Sequence, residues 1–375
     1  MEPFGIPDYL KFRKMSEQCI QWLLLLRRLL MSDQRVRLFT ISVLAFMISG
    51  LSVASVSAQS VVTDVGRGQG SVSHTAWGDP DIQGIWTSSG ATPFERPNDF
   101  QGRETLSNEE VAQFRTEADE RSQELLNAPA RRAQAGSNVG AYNDFWMDRG
   151  ARTNRTSMVI DPPNGRLPSL TPEGQKARNR WLKAPGGREL DDTWEDRHIW
   201  ERCVTRGGMP NAMFPRSYNN NMHVFQSPGY VVMLLEQVHE VRVVPLDDRP
   251  HLPENITQWN GDARGYWDGG TLVVTTTNLD HRVSGLQPWS LFHSHEGSGD
   301  GLTLVERFTR TSSGELEYEV EVTDPQMYTR PWTVSYPFSL SSDLMFEYAC
   351  HEGNEGMAGI LAGGRAEDAE AAAAR

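Results

Sequence analysis

Residues 302–324 read LTLVERFTRTSSGELEYEVEVTD. In the second half Leu316, Tyr318, Val320 and Val322 alternate with Glu315, Glu317, Glu319 and Glu321. Successive side chains of a strand point to opposite faces, so this pattern marks an antiparallel strand with one face in a core and the other in water. Ser312-Ser313-Gly314 supplies the turn that returns the chain to LTLVERFTR. Outward from this hairpin the same grammar recurs in MHVFQSPGYVVMLLEQVHEVRVVPLD (222–247), TLVVTTTNL (271–279), WTVSYPF (332–338) and LMFEYAC (344–350). Short turns such as Ser227-Pro228-Gly229 and Asp268-Gly269-Gly270 join them. Seven or eight strands without intervening helices predict a mainly β fold, an antiparallel meander closed into a calyx-like barrel or folded as a sandwich.

The first half differs. DPDIQGIW (79–86) suggests an opening strand, and Ser157 to Ile160 a second strand-like piece. Ser107-Asn108-Glu109-Glu110 is a capping box followed by Val111, Phe114, Ala118, Leu125 and Leu126 at helical spacing, which predicts a helix over about 108–127. Thr171-Pro172-Glu173 opens another that runs to about Leu182. The expected layout is a leader region at 1–58, a flexible Gly/Ser-rich stretch at 59–75, a part-helical cap at 76–215, a barrel-like domain at 216–365 and a disordered tail at 366–375.

Within 1–58, Arg35 and Arg37 precede an apolar run from Leu38 to Val53, and Val56-Ser57-Ala58 forms a small-residue cleavage signal. This is the pattern of a Sec-type signal peptide starting at Met31, with cleavage near Ala58, and predicts a periplasmic or extracellular protein. The apolar run Trp22 to Leu26 is too short to span a bilayer, and no stable membrane insertion is expected of the mature chain. Removing 1–58 takes seven of the 36 basic and four of the 49 acidic residues and leaves a net charge near −16. So acidic a chain repels phosphate backbones, and nucleic acid is not an expected partner. Only Cys203 and Cys350 remain, and two cysteines in an oxidising compartment most often pair; a free catalytic Cys350 or metal ligation are the alternatives.

At DPDIQGIW, YNDFWMDRG (142–150), NNNMHVFQSPGYVV (219–232), RPHLPENITQWNGDARGYWDGGTLVVTTTN (249–278), DPQMYTRPWT (324–333) and EYACHEGN (347–354), the chain resembles a large group of secreted proteins of acidobacteria and proteobacteria. The resemblance runs from about Asp79 to Arg365. It implies one contiguous secreted unit with a cysteine pair at Cys203 and Cys350, and it carries no activity, cofactor or substrate with it. The chain departs from the pattern at Thr275, where a Glu is expected, so no carboxylate role is carried over there.

Chemistry is sought first in YVVMLLEQVHEVRVVPLD (230–247). A tight hairpin would bring Glu236, His239 and Arg242 to one rim as base, acid and anion clamp; the alternative is a surface pair of Glu236 with Arg242 and a solvated His239. Glu306 shares the inward face of its strand with Phe308, so it is either a carboxylate with a raised pKa or the partner of an interior Arg. His351 follows Cys350 and is the alternative acid. Asp262, Arg264 and Trp267 enter a strand together and either bind a ligand or close a barrel end. Asn220 offers amide donors and acceptors to a polyhydroxylated ligand, and Trp146 suits the mouth between cap and barrel. No organic cofactor is expected; His293 and His295 in FHSHEG are the candidate ligands for a divalent metal, with a third from His223, His281 or His351. The sequence holds no G-x-S-x-G, H-E-x-x-H, P-loop or dinucleotide fingerprint. The expectation is an exported calyx-type protein that binds a small amphipathic or sugar-like molecule and transforms it by cofactor-independent hydrolysis, elimination or isomerisation. The alternatives are a non-catalytic carrier or an envelope interaction module.

Overall fold

The computed structural model describes residues 73–88, 91–127, 152–180, 189, 191–280 and 301–374. It is mainly β. The hairpin that opened the reading is formed by β8 (Thr303–Ser312) and β9 (Glu315–Thr323), with Glu306 opposite Val320 and Phe308 opposite Tyr318. Leu316, Tyr318, Val320 and Val322 are fully buried, while the intervening glutamates are partly or wholly exposed.

The remaining strands are β1 (Gly84–Thr87), β2 (Val159–Asp161), β3 (Asn221–Ser227), β4 (Tyr230–Leu235), β5 (Glu240–Pro245), β6 (Asp262–Asp268), β7 (Thr271–Thr277) and β10 (Trp332–Leu340). All ladders among them are antiparallel, in the order β5-β4-β3-β1-β10-β9-β8-β7-β6, with β2 added on β10. The result is a nearly closed nine-stranded barrel. The segment expected to be a cap therefore supplies two strands, and β1 is the bridge between β3 and β10. Trp86 holds it there, fully buried with its Nε1–H donated to the Ile82 carbonyl at 2.9 Å.

The seam between β5 and β6 has no ladder and closes by side-chain contact. At Gly265 of β6 an added Cβ would stand 2.7 Å from Val244 and 2.9 Å from Leu246, too close for any larger residue without movement. A second device spans the seam from within. Arg242 on β5 points inward, although its neighbours Val241 and Val243 are more than half exposed, and pairs with Glu306 on β8.

Helices α1 (Asn108–Asn127) and α2 (Pro172–Arg180) fall where capping chemistry predicted them. The capping box is reciprocal: Ser107 N–H donates to Glu110 at 2.8 Å and Glu110 N–H to Ser107 Oγ at 3.3 Å. Thr171 caps α2 through the Gly174 amide at 2.9 Å. Cys203 and Cys350 are joined by a disulfide, with Cα atoms 5.8 Å apart.

Two expectations change. LMFEYAC is no strand; residues 341–350 are irregular, with Leu344 and Phe346 each 74 % exposed. Both edges of β10 are already taken, by β9 on one side and β1 and β2 on the other, so this segment finds no ladder to join. In place of a disordered tail the chain forms α3 (Glu355–Ala373), which buries no residue. Alanine-rich composition favours the helix, and the lack of an apolar stripe leaves it without a docking face. Among the described residues no helix is long and apolar enough to cross a membrane.

Candidate functional site

At one end of the barrel, where β4 turns into β5, a narrow cleft opens to solvent. Its floor is apolar: Met213, Phe214, Met222, Leu235 and Phe338. Its walls are polar, formed by Asn219, Asn220, Asn221, Glu236, Gln237 and Arg206. Glu236 follows the last residue of β4 and is held in one orientation by its neighbours. Asn219 Nδ2 donates to Oε1 at 3.0 Å, and the backbone N–H and Nδ2 of Asn221 donate to Oε2 at 3.2 and 2.8 Å.

The backbone around the mouth is unusual. Of the five non-glycine residues with positive φ among those described, four are Cys203, Asn219, Val238 and His239. A β-branched residue such as Val238 at φ 61° is costly, and strain of this kind persists only where the surrounding structure imposes it. Here the turn is tied down from outside: His239 Nε2 accepts the Tyr348 backbone N–H at 3.1 Å, two residues from the disulfide at Cys350.

Arg206, 3 % exposed, lies in the same wall. Its Nε is buried without a hydrogen-bond partner. The nearest carboxylate, Glu240, is itself committed elsewhere: Oε1 accepts the Thr205 hydroxyl at 2.6 Å and the Arg206 backbone N–H, while Oε2 has no partner. Burial pushes Arg206 down to about 10, with Glu240 opposing, so it stays protonated at neutral pH. Burial pushes the Glu240 carboxyl up, against the hydrogen bonds from Thr205 and Arg206. Arg216 stands nearby, its pKa lowered well below normal by burial and by the charge of Arg206.

Of the residues singled out in the sequence, the cleft gathers Glu236 and Asn220. Asn220 spends its side chain on its own loop, donating to the Arg216 carbonyl at 2.7 Å and accepting the Arg216 N–H at 2.8 Å. His239 lies in the turn beside the cleft, and His351 is exposed in the turn that precedes α3. Glu306 and Arg242 form a separate buried unit: Nη1 and Nη2 of Arg242 donate to the two carboxylate oxygens at 3.0 and 2.6 Å, and Tyr318 Oη donates at 2.8 Å. Thr276 Oγ1 adds a donor at 3.3 Å. Burial alone would push the Arg242 guanidinium down, but Glu306 more than offsets this and holds it above its ordinary value.

Asp262 and Arg264 pair at 2.6 Å on β6, and Asp262 also accepts from the Leu252 amide and contacts His251 Nδ1, both at 3.0 Å. Burial pushes the Asp262 carboxyl up, but these three partners outweigh it and leave its pKa below normal. Trp267 packs, partly buried, against the core. Trp146, His293, His295 and His281 lie outside the described residues. Among the described residues no group of three His, Cys, Asp or Glu side chains is arranged to hold a metal ion.

Arg206, Glu240 and Gln237 were not among the sequence candidates. Comparison with protein-family models, with curated proteins and with solved structures finds no match for this chain.

Proposed function

We propose that the protein is an exported barrel that binds a small amphipathic molecule in the cleft beside Glu236 and Arg206, and that it acts as a carrier or receptor for this molecule. The observation that carries the reading is the composition of the cleft. An apolar floor converges with fixed amides, an anchored carboxylate and a buried guanidinium, which is the usual make-up of a small-molecule site.

Binding is favoured over acid–base catalysis because the four candidate catalytic groups do not converge. Glu306 is enclosed by Arg242, Tyr318 and Thr276, His351 is exposed, and of the four only Glu236 lines the cleft. Export is supported by the signal-like segment beginning at Met31 and by the disulfide between Cys203 and Cys350.

The test is a thermal-shift panel of short-chain fatty acids, their alcohols and amides, monosaccharides and sugar acids, with recovery of each compound by mass spectrometry. The carrier reading expects saturable stabilisation by at least one compound, which is recovered unchanged. Recovery of a product instead revives the acid–base reading, and stabilisation by none overturns binding at this cleft.

A further inference from the structure

A second cavity, of about 460 Å³, lies where the stretch before α1 meets β2, and it shares no residue with the cleft beside Glu236. That volume is within the range of small-molecule sites. Arg96, Glu104, Thr105, Asn154 and Arg155 make its lining polar. Arg96 is 5 % exposed and fixed from two sides: Nε donates to Thr156 Oγ1 and Nη1 to the Pro163 carbonyl, both at 3.0 Å. Gly165 packs so closely on it that an added Cβ would stand 2.8 Å from Nε. Nη2 has no acceptor among the described residues, and no carboxylate among them pairs with this guanidinium. A charge buried to this degree without a counter-ion is costly, and a ligand carboxylate would remove the cost. The neighbouring Arg155, by contrast, is answered by Glu317 at 3.1 Å.

The opposite charge stands on the same cavity. Glu104 is exposed, and its carboxylate has no partner among the described residues. Thr156 ties the two residues together: its N–H donates to the Glu104 carbonyl at 3.0 Å and its hydroxyl accepts from Arg96. We propose that this cavity is a binding site for a free α-amino acid, with the ligand carboxylate on Arg96 and the ligand ammonium on Glu104. An unpaired cation and an unpaired anion complement a zwitterion, each through a charge-assisted hydrogen bond. A simple anion such as phosphate is disfavoured by Glu104 and by the net charge of −13, whereas a zwitterion has no net charge to repel. A hydrocarbon ligand finds little to lie on, because Val159, one of the two apolar residues of the lining, is itself fully buried. The Thr105 hydroxyl and the Asn154 amide, neither engaged with a described residue, are placed to meet the amino-acid side chain.

A thermal-shift screen of the twenty standard amino acids on the full chain selects the one that stabilises it most. Calorimetry then compares that amino acid with its N-acetyl and carboxamide derivatives on the unaltered protein, on Arg96→Gln and on Glu104→Gln. The amino acid is expected to bind roughly tenfold or more tightly than either derivative, since each lacks one charge-assisted hydrogen bond. Glu104→Gln is expected to bring the ratio of amino acid to N-acetyl derivative to about one while keeping the preference over the carboxamide, and Arg96→Gln to do the reverse. Stabilisation by none of the twenty overturns the site. Equal binding of the amino acid and either derivative by the unaltered protein overturns the zwitterion assignment, and unchanged affinity in both variants overturns the placement at this cavity. Should Arg96→Gln fail to fold, judged by far-UV circular dichroism, Glu104→Gln and the derivatives on the unaltered protein decide, because the exposed Glu104 side chain makes no hydrogen bond to a described residue.

Discussion

At Glu306 a fully buried carboxylate accepts hydrogen bonds from Arg242, Tyr318 and Thr276, each on a different strand. Removing one partner of a buried ion pair leaves the other charge desolvated and uncompensated. Glu306→Gln is therefore expected to cost roughly 3–5 kcal/mol, read from urea unfolding followed by tryptophan fluorescence. The double variant Arg242→Met, Glu306→Leu removes both charges together and is expected to recover most of that loss. A Glu306→Gln protein as stable as the parent would show that the pair does not hold the seam. The inward facing of Glu306 was legible in LTLVERFTR, because it shares a phase with Leu304 and Phe308. Arg242 was not, and the reason is physical. In EVRVV the apolar-inside rule turns Val241 and Val243 toward the core, yet the structure does the opposite, since a carboxylate 64 residues further on makes the inward phase favourable for Arg242. Local alternation cannot weigh a partner so distant. Arg206 is a harder case still: it sits in RCVTRGGMPN, a loop without periodicity whose course is set by a disulfide to the far end of the chain.

Among the elements, α1 shows what a sequence can specify by itself, because every group that starts the helix lies within a few residues. The Arg103 guanidinium donates to Glu110 at 3.0 and 2.6 Å, and with the Ser107 amide it lowers the carboxyl from 4.5 to about 2. The folded-state pKa is depressed, so the cap contributes its full stabilisation above about 4.5 and loses it as pH falls through about 2. A carboxylate ¹³C titration is expected to find the Glu110 midpoint near 2, and Arg103→Ala to move it back toward the ordinary range. An ordinary midpoint in the parent protein would rule out the capping geometry. The strands β3, β4, β5, β7, β8, β9 and β10 were legible for the same local reason, as short β-rich runs between turn formers. Residues 344–350 had the composition of a strand and became none, because pairing requires a free edge and β10 has none left. The role of β1 was hidden in the opposite way: GIWT is short, and only the whole sheet shows that it joins two halves of a barrel.

For the whole molecule, the disulfide is a long-range covalent constraint, joining cysteines 147 positions apart in the sequence. On the chain-entropy model a loop of this length is worth about 5 kcal/mol, so reduction is expected to lower the urea midpoint markedly; an unchanged midpoint would place the stability elsewhere. The bridge also ties the irregular segment 341–354 to the loop before Arg206, and Tyr348 in that segment holds His239 beside the cleft. The barrel thus presents one end as a strained, cross-linked mouth over an apolar floor, and the claim that this mouth receives a small amphipathic ligand is the centre of the account. It is tested most directly by ¹³C-methyl methionine spectra during titration with whichever compound of the thermal-shift panel stabilises the protein most, because Met213 and Met222 line the cleft whereas Met158 and Met327 are buried elsewhere in the core. Saturable shifts are expected at Met213 and Met222, with Met158 and Met327 unmoved. Shifts confined to Met158 or Met327, or no shift at any methionine across the titration, would contradict it.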